Sequence, residues 1–154
     1  MEIERKFLVT HSPDLSRIEP NRYERYYLSV TKNSEERIQG VNGVYAYEKK
    51  VAIDAFTRST ERHELVREEF EELKADSSRA IIRDSFKISS QLSIKVYYGE
   101  FEGLIRAEVE FESLAEANAY IPESWMGAEI TDSPLGRDSR LLQLDHGEFL
   151  RILG

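Results

Sequence analysis

The sequence predicts an α+β fold that is mainly β: a closed eight-stranded antiparallel β-barrel with amphipathic helices packed outside. Three observations predict it. Eight segments show the period of two that strands impose, which sends residues i, i+2 and i+4 to one face. In many of them one face is apolar and the other is a row of Glu, Lys, Arg and Tyr. A sandwich buries two apolar faces against each other, whereas a barrel with a polar lumen takes such strands without conflict and leaves no edge. Two other segments change to a helical period and can cover the apolar exterior.

The first strand is Met1–Val9, with Glu2, Glu4 and Lys6 on one face and Ile3, Phe7 and Val9, together with Arg5, on the other. Its ionic face is the ordered one. Residues 10–21 hold turn formers and two prolines and read as a loop with a short helical turn at Asp14–Ile18. Arg22–Val30 is strand two, placing Tyr23, Arg25, Tyr27 and Ser29 together. Thr31–Glu35 is a hairpin loop, Glu36–Gln39 a short third strand, and residues 40–43 a tight turn. Val44–Ala52 is strand four, where Tyr45, Tyr47 and Lys49 take one face and Lys50 is assigned to solvent. After the connection Ile53–Phe56, Thr57–Leu65 is strand five, with Arg58, Thr60, Arg62 and Glu64 aligned.

Val66, Phe70 and Leu73 then fall at i, i+4 and i+7, an amphipathic helix whose glutamates are a solvated face. Ala80–Ser89 is strand six, with Arg83, Ser85 and Lys87 on one face, and Leu92–Tyr98 is strand seven, with Ser93, Lys95 and Tyr97 alternating. Gly99–Gly103 turns the chain into strand eight, Leu104–Glu112, which directs Arg106, Glu108 and Glu110 inward. Ser113 and Glu116 form a capping box for a helix over 114–120 that stops at Pro122. Pro134–Leu142 opens a last helical piece, whose Arg137 and Arg140 either reach the mouth of the barrel or are surface cations, the second reading being preferred.

With 154 residues, 40% hydrophobic and 32% charged, the chain reads as one globular domain spanning 1–154. A net charge of −8 argues against broad nucleic-acid binding, though a concave site can be locally basic. No apolar run approaches the ~20 residues of a membrane helix, and the charged N-terminus does not read as a signal peptide, so no membrane partner and a cytoplasmic location are expected. A homodimer is compatible with the sequence. Zero cysteines exclude thiolate sites, and His11, His63 and His146 are scattered, which leaves oxygen ligands suited to hard divalent cations. No glycine-rich phosphate loop and no cysteine nucleophile is present. Closing the barrel brings strand eight towards strand one, so Glu2, Glu4, Glu108 and Glu110 converge. Two carboxylates about 5 Å apart repel by roughly 3 kcal/mol at an effective dielectric near 20, so such a group raises its own pKa values or recruits cations. Lys6, Arg37, Lys49, Arg58, Arg83 and Lys95 supply fixed positive charge between them.

Three stretches resemble one family. Met1–Val9 looks like the signature strand of the CYTH family, the triphosphate tunnel metalloenzymes; Gly103–Phe111 looks like its late acidic strand, and Trp125–Thr131 like its closing segment. Their order and spacing cover nearly the whole chain. The resemblance implies a closed eight-stranded tunnel that binds a small triphosphate with Mg2+ or Mn2+. It implies metal ligation by Glu2, Glu4, Glu108 and Glu110, and phosphate contacts from Lys6, Arg37, Lys49, Arg58, Arg83, Lys95 and Arg106. It implies catalytic roles for Lys6, Glu4, Glu110 and Tyr27, the last from a Tyr-Leu segment similar to the family's. Glu64 is favoured for an acidic position on strand five. The chain departs from the family pattern at Glu35 and Ser85, where basic residues are usual, and at Ser93 and Lys95, where many relatives are acidic. The expected function is metal-dependent hydrolysis of inorganic tripolyphosphate or a nucleoside or thiamine triphosphate. The alternatives are a class IV-type adenylate cyclase and a non-catalytic polyphosphate- or nucleotide-binding module.

Overall fold

The eight alternating segments and one further stretch fold as nine strands in the computed structural model, which describes residues 1–77 and 79–154. In chain order they are β1 (Glu2–Val9), β2 (Asn21–Val30), β3 (Ser34–Val41), β4 (Val44–Ala52), β5 (Thr57–Leu65), β6 (Ala80–Lys87), β7 (Leu92–Tyr97), β8 (Ile105–Glu110) and β9 (Met126–Glu129). Helices α1 (Arg67–Lys74), α2 (Leu114–Ala119), α3 (Asp138–Leu141) and α4 (His146–Leu153), with single 3-10 turns at Gly99–Phe101 and Pro134–Gly136, complete the described elements. Eight strands run in the order β5-β4-β3-β2-β6-β7-β8-β1, and β1 meets β5 again, so the sheet closes into the expected antiparallel barrel. Strand β9 was not anticipated. It pairs with the end of β1 that β5 does not reach, setting Phe7 opposite Glu129 and Val9 opposite Met126.

The closing seam is short. β1 and β5 pair only through Glu2–Arg58 and Ile3–Thr57, with the Glu4 N–H donating to the Phe56 carbonyl at 3.1 Å. Residues 59–64 of β5 pair with β4 alone and are exposed. Glu64, favoured from the sequence as an acidic site residue, therefore lies in solvent. At the β3–β4 turn, Asn42 and Gly43 have φ of 51° and 79°, the left-handed conformation a two-residue hairpin demands.

Packing on the exterior decides which face of each strand turns inward. Phe70 of α1 stands 4.5 Å from Tyr45 and 6.0 Å from Tyr26, ring centre to ring centre, over a patch that includes Ile38. Tyr45 and Tyr47 are thus drawn out to α1, and Ala46, Glu48 and Lys50 face the lumen. The sequence assignment is reversed here: Lys50 is buried inside the barrel, and Lys49 lies on the outer face between Glu36 and Glu61 of the neighbouring strands. A second exterior cluster joins Phe7, Val9, Ala107 and Val109 to Ala117 of α2, whose Ser113 cap accepts from the Glu116 N–H at 3.1 Å as expected.

The third cluster closes one end of the barrel. Inward residues Leu8, Tyr27, Ile81, Tyr97 and Leu104 pack against Leu135, Leu141 and Phe149 of the C-terminal segment. Helix α4, capped by Asp145, was not expected. The connection between β1 and β2 holds one turn, the Ile18 N–H donating to the Leu15 carbonyl at 3.0 Å, within the span where the sequence places a short helical turn. No helix among the described residues is long and apolar enough to cross a membrane.

Candidate active site

Alternation sends Glu2, Glu4 and Lys6 into the lumen, and the β1–β8 register sets Glu4 opposite Glu110 and Lys6 opposite Glu108. Acidic pairs from the two ends of the sequence thereby become cross-strand neighbours. The lumen holds a cavity of about 200 Å³. On its wall stand Glu2, Glu4, Lys6, Arg37, Arg58, Arg83, Lys95, Arg106, Glu108 and Glu110 of the residues assigned from sequence. Lys49 is outside, as described above. Tyr27 points inward but sits in the apolar end cluster, where its hydroxyl accepts from Arg37 Nη1 at 3.3 Å. It positions an arginine and does not line the cavity.

Asp138 organises the cationic part of the wall. Its side chain is 1% exposed and accepts from Arg25, Arg83 and Arg106, each at 3.1 Å, and from the Tyr97 hydroxyl. Burial alone would raise its pKa, but Arg83, Arg106 and Arg25 outweigh burial and hold the carboxyl well below the usual range. With Nε committed to Asp138, Arg83 keeps Nη1 free. It is the one buried side-chain nitrogen without a partner among the described residues. An unpaired buried donor costs free energy until an acceptor arrives.

The other cations are also fixed. Lys6 Nζ donates to the Gly136 carbonyl at 2.7 Å and lies 3.3 Å from Glu4. Gly136 itself passes so close to the chain after β9 that a Cβ on it would lie 2.0 Å from the Ile130 carbonyl oxygen, so only glycine fits there. Arg106 donates to the Leu135 carbonyl and to Glu108, both at 2.9 Å. Burial works against the Glu108 charge, yet Arg106, Lys95 and Lys6 keep its pKa well below normal. The departures from the family pattern acquire partners. Glu35 accepts from Arg37 and Arg58 at 3.2 Å each and from Ser139 at 2.6 Å, tying β3, β5 and α3 together. Ser85 accepts from Lys95 at 2.7 Å, so β7 supplies the cation that β6 lacks, and Lys87 stays exposed.

Glutamates mark the more open side of the cavity. Glu2 pairs with Lys50 next to the seam. Glu110 is exposed at the rim, and partial burial with the like charges of Glu4, Glu2 and Glu108 raises its pKa. Among the described residues, no three Asp, Glu, His or Cys side chains approach closely enough to hold a metal ion together. The four glutamates share one cavity without forming a ready cluster.

The sequence reading missed Lys50, Glu48, Arg25 and Asp138, and preferred a surface position for Arg137 over the barrel mouth; all five line the cavity. The helix period of Val66–Leu73 held a usable signal for Lys50, because an apolar helix face needs the aromatic face of a neighbouring strand. Arg25 shares its strand face with Tyr23 and Tyr27, so its direction was already legible. Asp138 and Arg137 enter from an irregular segment that has no period to read.

No family model matches the sequence, and no curated protein does. Solved structures do. An inorganic triphosphatase, NE1496, is 26% identical, superposes with a TM-score of 0.68, and the match covers 94% of this chain and 96% of that one. HpAC1 from Hippeastrum, an adenylyl cyclase candidate with a dominant triphosphatase activity, is 14% identical with a TM-score of 0.55 over 77% and 83%. An adenylate cyclase candidate from Bacillus halodurans is 15% identical with a TM-score of 0.58 over 86% and 97%. The last two are similar in fold alone.

Proposed function

We propose that this chain, which carries the triphosphate-tunnel fold of the CYTH family, hydrolyses a small inorganic triphosphate inside its barrel with the help of a divalent cation. One observation carries the reading most directly: the free Nη1 of Arg83, buried beside a cavity rich in fixed cations. Phosphate oxygens satisfy such a donor, and arginine forks hold them in bidentate fashion. The cavity volume, about 200 Å³, is below the roughly 300–1,000 Å³ of pockets that take drug-sized ligands. A compact polyanion suits it better than a nucleotide.

The chemistry follows from placement. Arg83, Arg106, Arg37, Arg58, Lys6 and Lys95 bind and orient the phosphate chain and offset charge that builds on its bridging oxygen. Glu110, whose pKa is raised and which stands at the rim, accepts a proton from the attacking water. Glu4 faces it across the β1–β8 ladder. This all-oxygen pair fits Mg2+ or Mn2+, which typically use one or two carboxylates and fill the remaining positions with water and substrate phosphates. Such an ion, once bound, neutralises charge on the phosphoryl oxygens.

The direct test is orthophosphate release from tripolyphosphate, ATP and thiamine triphosphate with Mg2+, Mn2+ or a chelator. Tripolyphosphate is expected to turn over fastest and only with metal. Cyclic AMP and pyrophosphate from ATP would make the protein a cyclase, and tight metal-dependent binding without turnover would make it a binding module.

Two lysines also set a pH dependence. Burial, reinforced by neighbouring arginines, lowers both Lys50 and Lys95 to about 8, although Glu2 and Glu108 respectively oppose the shift. For the free enzyme, kcat/KM is expected to fall as pH rises through about 8, because these groups lose the charge that attracts phosphate. Folding moves the other way. Between about 8 and the unfolded value near 10.4 the unfolded chain binds more protons, so this contribution to stability rises with pH. A pH–rate profile flat from 7 to 10 contradicts the assignment.

A further inference from the structure

The segment that enters the barrel carries one arginine with nothing to hold. Leu135 and Gly136, just before it, are pinned by cations of the lumen: Arg106 donates to the Leu135 carbonyl at 2.9 Å and Lys6 Nζ to the Gly136 carbonyl at 2.7 Å. Just after it, Asp138 takes Arg25, Arg83 and Arg106, and the Ser139 hydroxyl donates to Glu35 at 2.6 Å. Arg137 lies between these anchors in an extended conformation, with φ −138° and ψ 129°. It is half-buried and lines the lumen cavity and, with Glu4, Lys6 and Arg58, a small cleft beside it. Its guanidinium makes no hydrogen bond or ion pair among the described residues, whereas Arg25, Arg37, Arg58, Arg83 and Arg106 each reach a carboxylate. Of the two carboxylates near it, Glu35 is already shared by Arg37, Arg58 and Ser139, and Asp132 is exposed. Burial, and then Arg58, lowers the Arg137 pKa, as befits a cation whose surroundings supply too little negative charge.

Its place in the barrel says which part of a triphosphate it meets. The lumen adjoins a further space at each end of β2. The one at the start of β2, about 310 Å³, is bordered by Asn21, Gln91 and Glu110, and the one at its end, about 460 Å³, by Val30, Asp132 and Arg137. Phosphoryl transfer sets the attacking and leaving oxygens roughly in line on opposite sides of phosphorus. With the water activated at Glu110, the leaving group points towards the Arg137 end. We infer that Arg137 is a further catalytic residue, which grips the departing diphosphate and offsets the charge it gains. The inference rests on the triphosphatase reading and deepens it. A water oxygen bonds to the terminal phosphorus, the bond from that phosphorus to the bridging oxygen breaks, and its electron pair stays with the diphosphate. The water proton passes to Glu110 and on to solvent. Arg137 stays protonated throughout, and its fork holds two diphosphate oxygens.

The experiment compares the parent with Arg137→Ala and Arg137→Lys on tripolyphosphate with Mg2+, with circular dichroism to check the fold. Arg137→Ala is expected to lose about 100-fold in kcat, the scale of one preorganised donor, with KM within about threefold of the parent. Inhibition by diphosphate should weaken about tenfold, while inhibition by orthophosphate stays within about twofold. Guanidinium ion at non-denaturing concentration should restore the alanine variant and leave the parent unchanged. Arg137→Lys keeps the charge and loses the fork, so it falls between the two and carries the comparison if the alanine variant does not fold. An alanine variant within about threefold of the parent in kcat overturns the inference. So does a loss that guanidinium does not restore and that leaves diphosphate inhibition unchanged, because Arg137 then acts through the fold. A parent that releases no orthophosphate from tripolyphosphate sinks the triphosphatase reading itself. Calorimetry with diphosphate still decides the residue in that case: weaker binding to the variant upholds its grip on diphosphate, and equal binding overturns it.

Discussion

Glu4→Gln is expected to lower orthophosphate release from tripolyphosphate by about 100-fold or more at saturating Mg2+, with the fold unchanged. The substitution keeps the shape of the side chain and removes one charge. Glu4 lies in the middle of β1, 3.3 Å from Lys6 and opposite Glu110 in the ladder. It is one half of the oxygen pair available to a hard cation, and preorganised charge at a phosphoryl-transfer site is commonly worth two to three orders of magnitude, by analogy with a single oxyanion donor at roughly 10²–10³. The metal concentration for half-maximal rate should rise as well, since fewer charged oxygens remain. A variant that keeps more than a third of the parent's rate at every Mg2+ concentration would remove Glu4 from the site.

Asp138→Ala is expected to act on the fold more than any other single change at the cavity wall. It strips the shared acceptor from Arg25, Arg83, Arg106 and Tyr97 and leaves three guanidinium groups buried without it. Breaking a buried ion pair by deleting one partner typically costs about 3–5 kcal/mol. For a chain of this size that corresponds to a fall in Tm on the order of 10 °C, measurable by thermal denaturation. The pH dependence has a definite sign. The folded carboxyl titrates well below its unfolded value, so its stabilisation is fully present above about 4 and is lost as pH falls towards the folded value. The gap in Tm between parent and variant should therefore narrow below pH 4. A gap under about 2 °C at pH 7 would show that water satisfies the arginines equally well.

How far the sequence could be read depended on how regular each segment is. β1 and β8 alternate without interruption, so the period puts Glu2, Glu4 and Lys6 on one face and Arg106, Glu108 and Glu110 on one face; that these faces turn inward needed the second acidic pair and the likeness to the family, because a solvated edge strand has the same period. β4 was harder, because both of its faces carry lysine and only the partner of Tyr45 and Tyr47 tells them apart. That partner is Phe70, whose own period was correctly read while its docking site was not. The apparent loss of a base at Ser85 was a pairing effect: the register sets it against Lys95, and single-strand reading cannot see across a ladder. The segment from Ser133 to Leu142 enters the barrel through short turns, where hydrogen bonds to Gly136 and Leu135 carbonyls replace side-chain pattern. β9 has four residues, three of them exposed, and offers no hydrophobic pattern to detect.

The ring is fastened where it is thinnest. Two residue pairs join its first and fifth strands, and one of those pairs is Glu2 with Arg58, both members of the cavity wall. Transient local unfolding starts at such weak joints, and amide exchange there should outpace that of every other ladder. When the joint parts, Glu2 and Arg58 swing away from each other, so the opening that exposes the strands also dismantles the charge arrangement between them. Any polyanion that bridges the two would therefore act as a clasp, slowing deuterium uptake at residues 2–4 and 57–58 while it is bound.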